Sequence, residues 1–462
     1  MNKMSLFDMC FFAAETADSP KHVAGLFVFK RPAHSKASFV KDLHAELLTF
    51  TDVHAPFNRM VELSYTATPR WKDCAVDLNN HVFYQKMDKS ANSHADLHRL
   101  VADLHTPMLD RSRPLWEAHV IDGIEGDRFA AYFKIHHAYA DGVTISRWGA
   151  QMLSESSDEM TFAPIWAKRH GGYVGRGKTR MPKVVQSVKD NIKTTTKRFL
   201  GIGRLATMLL LETVHLTKNA IALPYVYSGH TPLTGQVTAG RQFSTAKIDM
   251  KLVNRICKQT RSTLNHVALT CLDGALHRYL DEQGVKMDRP LTIVMPVNLR
   301  REGDKSAGNK IGFVEVELSA LTDDPYVRLR NVGFSLRHVR TLIDNVAPEA
   351  IETYTVLTGL VGFAAERLRL SDRLPPMGTT LVSNVPGPKV PLYLKGALVE
   401  EMTPVSTLPP GNLLNITLFS YADQLAFCLI AVDKLPDLNR LSGYIHDAFA
   451  ELSVAVHEIK HT

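Results

Sequence analysis

His136-His137-Ala138-Tyr139-Ala140-Asp141-Gly142 sets two imidazoles and a carboxylate at the end of a strongly apolar stretch. A histidine held among aromatic groups stays neutral near about pH 7, because desolvation disfavours the cation, and a neutral imidazole can take a proton from an alcohol. The element that must position this base is a strand over Phe129–Ile135. Its alternation sends Phe129, Ala131, Phe133, Ile135 and His137 to one face and Ala130, Tyr132, Lys134 and His136 to the other. His137, on the apolar face, is the base candidate, and Asp141-Gly142 suits a tight turn into a helix over Val143–Leu153. A plainer reading also stands, in which histidines closing a strand bond to backbone. Neighbours on a strand face opposite ways and no third ligand lies at useful spacing, so a metal site is not expected.

The chain has 462 residues, more than one core usually fills, which predicts two domains of about 150–220 residues. Five cysteines (Cys10, Cys74, Cys257, Cys271, Cys428) are odd in number and lack CxxC spacing, so neither a disulfide framework nor a zinc knuckle is expected, and a reducing, cytoplasmic setting is. The apolar run Met9–Ala14 is flanked by Asp8 and Glu15, which suits no signal peptide. Leu205–Tyr227 carries Glu212, His215, Lys218 and Pro224 and makes a poor membrane span.

Net charge is +7, but it is local. From Lys168 to Arg204 eleven lysines and arginines face Asp190 alone, a balance of +10 that leaves −3 for the rest. With only Tyr173 and Phe199 as aromatics there, nucleic acid is a poor partner. The stretch fits either an anionic membrane or lipid surface, or a solvated linker.

Three segments follow: an α/β block over 1–163, a basic amphipathic linker over 164–240 and a second α/β block over 241–462. The first holds a strand at Val23–Phe29, helices around Phe39–Leu47 and Ala95–Leu104, and a strand Trp116–Ile121 joined to the motif strand through Asp122–Asp127, which has hairpin chemistry. The second holds a helix over Leu264–Leu280, strands at Leu291–Val297, Gly312–Leu318, Thr379–Val382, Ile416–Tyr421 and Leu425–Val432, and a closing helix over Pro436–Ile459.

HHxxxDG has companions. Lys21-His22-Val23-Ala24-Gly25, Pro114-Leu115-Trp116, Pro296-Val297-Asn298-Leu299-Arg300, Gly308-Asn309, Ser383-Asn384-Val385-Pro386-Gly387-Pro388, Asn415-Ile416-Thr417 and Pro436-Asp437-Leu438 together resemble the bacterial wax ester synthase/acyl-CoA:diacylglycerol acyltransferases, within the CoA-dependent acyltransferases. The resemblance covers nearly the whole chain. Two departures bear on substrate selectivity: Asn265-His266 stands where the family has Asn-Asp, and Tyr139 is bulky where a small or aliphatic residue is common.

The resemblance implies an α/β fold of two chloramphenicol-acetyltransferase-like domains, each a mixed sheet flanked by helices, with a tunnel between them. It also implies an O-acyltransferase that moves fatty acyl groups from acyl-CoA, as co-substrate and with no cofactor, to long-chain alcohols or diacylglycerol. His137 would be the base and His136 a packing and orienting residue. Asp141 would be tied to Arg300, or else Arg113, unless it only caps the following helix. Gly142, Trp116, Asn265, Ser383 and Asn384 are the substrate-side candidates. Ser383 and Asn384 are oxyanion donors or simple turn residues, Trp116 also reads as core, and Asn265 as a helix cap. Alternatives are a carrier-dependent transferase with another acceptor, an HxxxxD glycerolipid acyltransferase and a non-catalytic lipid-surface protein; no GxSxG supports a serine hydrolase.

Overall fold

The computed structural model describes residues 6–62, 70–170, 229–298, 311–345 and 348–458. Strands are numbered in chain order. β1 (His22–Lys30) is followed by a ribbon of β2 (Arg59–Glu62) and β3 (Arg70–Asp73), then β4 (Val82–Lys86), β5 (Trp116–Ile124) and β6 (Arg128–His136). The second half opens with β7 (Arg241–Asp249), β8 (Thr292–Asn298), β9 (Ile311–Glu317) and β10 (Thr380–Pro386). It closes with β11 (Tyr393–Leu394), β12 (Ala397–Val405), β13 (Leu414–Tyr421) and β14 (Gln424–Val432).

Two six-stranded mixed sheets result, in the orders β11-β12-β1-β6-β5-β4 and β7-β14-β13-β10-β8-β9. β5 and β6 pair antiparallel, joined by a short turn in which Gly126 and Asp127 take left-handed φ of +72° and +56°. The hairpin expected from the sequence is therefore present.

Two strands of the C-terminal half depart from the expected segmentation. β12 pairs along β1, so residues 393–405 complete the first sheet rather than the second. The larger core cluster accordingly draws side chains from both sheets, from Leu26 and Val28 to Phe427 and Leu429. A smaller one, with Phe12, Trp116, Ile135, Tyr139 and Trp166, lies around the histidine motif.

β10 has the feature that matters most for a site. It runs parallel to β13 through Pro386, yet pairs with β8 only at Thr380 and Leu381. Among the described residues, the β8 side of the strand carries no ladder from Val382 onward, and a proline is tolerated on such a side. The expected strand Thr379–Val382 thus continues through Ser383 and Asn384, which do not form a turn.

Most of the basic segment and the linker, with Arg300, Gly308 and Asn309, lie outside the described residues. No helix among the described residues is long and apolar enough to cross a membrane.

Candidate active site

β6 ends at His136, one residue short of what strand alternation needs to orient His137. Both faces of the strand are buried, so no separate apolar face exists. Two main-chain bonds hold the turn instead: His136 N donates to the Leu115 carbonyl and His137 N to the Lys21 carbonyl, each at 2.9 Å.

The two rings then part company. His136 is fully buried and stacks on Phe12 at 4.3 Å, with Nε2 3.6 Å from Glu15 Oε1. His137 stacks on Phe11 at 4.6 Å and is half-buried. Its Nδ1 is buried without a hydrogen bond of good geometry, which leaves the exposed part of the ring on the Nε2 edge. Burial lowers the His137 pKa, its own carbonyl and Asp141 oppose that, and His136 adds to it. The net direction keeps the imidazole neutral.

Glu15 was not a sequence candidate, having been read only as the acid that closes an apolar run. It is buried, accepts from Lys21 N and Arg111 Nη2, each at 2.9 Å, and faces His136. Burial raises its pKa, but His136, the Lys21 amide and Arg111 outweigh this and hold it down at about 2. A carboxylate directly abutting an apolar run was the available signal, because such a group needs partners if it is buried.

Asp141 caps the helix Gly142–Gln151, its Oδ1 accepting from Thr144 N at 2.8 Å. Arg113, the second expected partner, instead bonds Glu117 at 3.2 Å, and lines a separate cleft of about 200 Å³ with Met60, Cys74 and His81. Gly142 is exposed, and a Cβ built there would lie 4.0 Å from Val385 Cγ2. The motif therefore meets β10 along its unladdered stretch.

Other candidates fall elsewhere. Trp116 is sealed in the core, Nε1 donating to the Phe57 carbonyl at 2.9 Å and its ring stacked on His81 and on Trp166, which is the core reading of that residue. Tyr139 is equally buried, receiving the Leu115 amide at 3.0 Å and donating to the Arg59 carbonyl; its bulk braces the hairpin. Thr263, not Asn265, caps the helix Leu264–Asp281. Asn265 Oδ1 receives Asn384 Nδ2 at 2.5 Å, tying that helix to β10. Ser383 Oγ donates to Thr417 Oγ1 at 3.0 Å, which in turn bonds Ser406 Oγ at 2.8 Å. With that proton committed, Ser383 is not poised as an oxyanion donor.

The fold is a two-domain mixed α/β architecture. Its solved likenesses include the first condensation domain of the calcium-dependent antibiotic synthetase, at TM-score 0.61 and 11% identity over 98% of this chain and 96% of that one. A wax ester synthase/diacylglycerol acyltransferase from Marinobacter aquaeolei VT8 superimposes at TM-score 0.76, with 27% identity over 99% of this chain and all of that one. The profile of the wax ester synthase/diacylglycerol acyltransferase catalytic domain matches residues 4–268, and that of the family's C-terminal domain residues 307–453. A probable diacyglycerol O-acyltransferase, tgs2, of Mycobacterium tuberculosis is 30% identical over 99% of this chain and 100% of its own. The O-acyltransferase WSD of Acinetobacter baylyi is 28% identical over 97% and 96%. The chain belongs to the wax ester synthase/diacylglycerol acyltransferase family and is an O-acyltransferase.

Proposed function

We propose that His137 is the general base in the transfer of a fatty acyl group from acyl-CoA to a long-chain alcohol or diacylglycerol, giving wax ester or triacylglycerol. Nε2 takes the hydroxyl proton as the oxygen attacks the thioester carbonyl; the C–S bond then breaks, and the imidazolium returns the proton to the departing CoA sulfur. No acyl-enzyme is required, because the thioester is already activated. The observation that carries this reading is a half-buried imidazole with its Nδ1 edge buried and its pKa lowered by burial, next to the stretch of β10 that has no β8 partner among the described residues. A tunnel between the sheets at this point would bring alcohol and thioester to Nε2.

A lipid surface is the second partner in this reading. Leu360, Val361, Ala364 and Leu368 fall within an arc of about 100° on the helix Pro348–Arg367 and its last turn. All four are exposed, and Arg367, Arg369 and Arg373 fringe them. Apolar contacts bordered by cations suit an anionic lipid interface, as does the basic segment from Lys168 to Arg204.

Release of free thiol from palmitoyl-CoA, with hexadecanol and diacylglycerol supplied together, tests the reaction. Acceptor-dependent release with ester products supports it; equal release with water alone indicates a hydrolase and overturns it.

A further inference from the structure

His137 stands just past the ladder of β6, and the carbonyl that receives its N–H belongs to Lys21, the residue before β1. The same residue's N–H donates to Glu15, the carboxylate facing His136. The main chain of residue 21 therefore holds His137 directly and also bonds the carboxylate that lies beside His136.

Its side chain is tied down far away in sequence. The ammonium, 1% exposed, donates to Ser19 Oγ at 2.6 Å and to Glu366 Oε2 at 3.3 Å, and lies 5.8 Å from the Phe363 ring centroid. Phe363 and Glu366 sit on the helix Pro348–Arg367, in the C-terminal half. Glu366 is buried too, and its Oε1 has no hydrogen-bond partner, so Lys21 is the ion-pair partner of that carboxylate among the described residues. A buried pair of this kind is weak evidence for net stability, but leaving either charge without its partner is costly, so the two groups are held together. The backbone of Lys21 in turn holds His137.

We propose that Lys21 is a positioning residue: its ion pair with Glu366 fixes the peptide that holds His137, and so couples the Pro348–Arg367 helix to the catalytic ring. This rests on His137 being the base. The experiment compares Lys21→Met, Lys21→Arg, Glu366→Gln and the Lys21→Met/Glu366→Gln double variant in the full-length protein, with palmitoyl-CoA and hexadecanol, and rates expressed per folded molecule. Lys21→Met and Glu366→Gln should each lower kcat about tenfold with KM for palmitoyl-CoA nearly unchanged. Lys21→Arg should keep most of kcat, and the double variant should lose no more than Lys21→Met, because the two groups act as one unit. In ¹⁵N-histidine spectra the signal lost in His137→Ala should shift in Glu366→Gln, which answers the question even if Lys21→Met fails to fold. An unshifted signal with unchanged kcat in Glu366→Gln, or losses that multiply in the double variant, overturns the coupling. A fully active His137→Ala would instead sink the base itself.

Discussion

His137 and His136 share a sequence neighbourhood and have different surroundings, and the surroundings assign their work. The first is half-buried, with burial lowering its pKa; the second is sealed against Phe12 and Glu15. The rate should therefore hold across neutral pH and fall only below the usual imidazole range near about 6.5, as protonation removes the base. A kcat profile with its acid limb above that range would contradict the assignment. Glu15 carries the opposite sign of linkage. Its folded-state pKa is lowered from 4.5 to about 2, so its contribution is present above 4.5 and lost as pH falls from there toward 2. Glu15→Gln should flatten the loss of stability in that window, measured by chemical denaturation at successive pH values. The histidine motif was legible because its residue types state their chemistry. Glu15 and Lys21 were not, since their roles arise from burial against Arg111 and Glu366, partners that no local pattern connects to them.

At the scale of elements, regular periodicity survived translation into structure and irregular stretches did not. The β5–β6 hairpin, β1 and the helix Leu264–Asp281 appear within a few residues of their expected ends. β12 was invisible: Ala397–Val405 contains Glu400, Glu401 and Pro404, and its place beside β1 is set by a partner in the other half of the chain. Ser383 and Asn384 read either as oxyanion donors or as turn residues at a strand end, because they precede a Pro-Gly pair. The stretch is a strand instead, paired with β13 as far as Pro386, and among the described residues its other side carries no ladder beyond Leu381. Trp116 and Tyr139 belong to this scale as braces of the hairpin. Trp116→Ala should cost about 3–5 kcal/mol of stability, and Tyr139→Phe about 1–3 kcal/mol, from the Leu115 amide and Arg59 carbonyl left unpaired. Denaturation curves check both. A change in KM for acyl-CoA without loss of stability in Trp116→Ala would return that residue to the substrate path.

For the whole molecule, two sheets and a return of the C-terminal chain into the first sheet make the histidine motif a joint between halves. The two-sheet α/β architecture was legible from alternating strands and helices and from the family motifs. The crossing of β12 was not, since strand order across halves leaves no trace in local pattern. At this scale the exposed Leu360, Val361 and Leu368 should matter for encounter with lipid. Leu368→Glu should weaken co-sedimentation with anionic liposomes, and rising salt should weaken it for the unaltered protein; binding indifferent to both would remove the lipid surface from the account.

The central claim is tested most directly by thiol release from palmitoyl-CoA with hexadecanol, comparing the unaltered protein with His137→Ala. Loss of one positioned base lowers such a rate by about 10²–10⁴. The prediction is that acceptor-dependent release in the variant falls by at least that much while its melting transition persists. Release at the unaltered rate from a folded His137→Ala protein would contradict the claim.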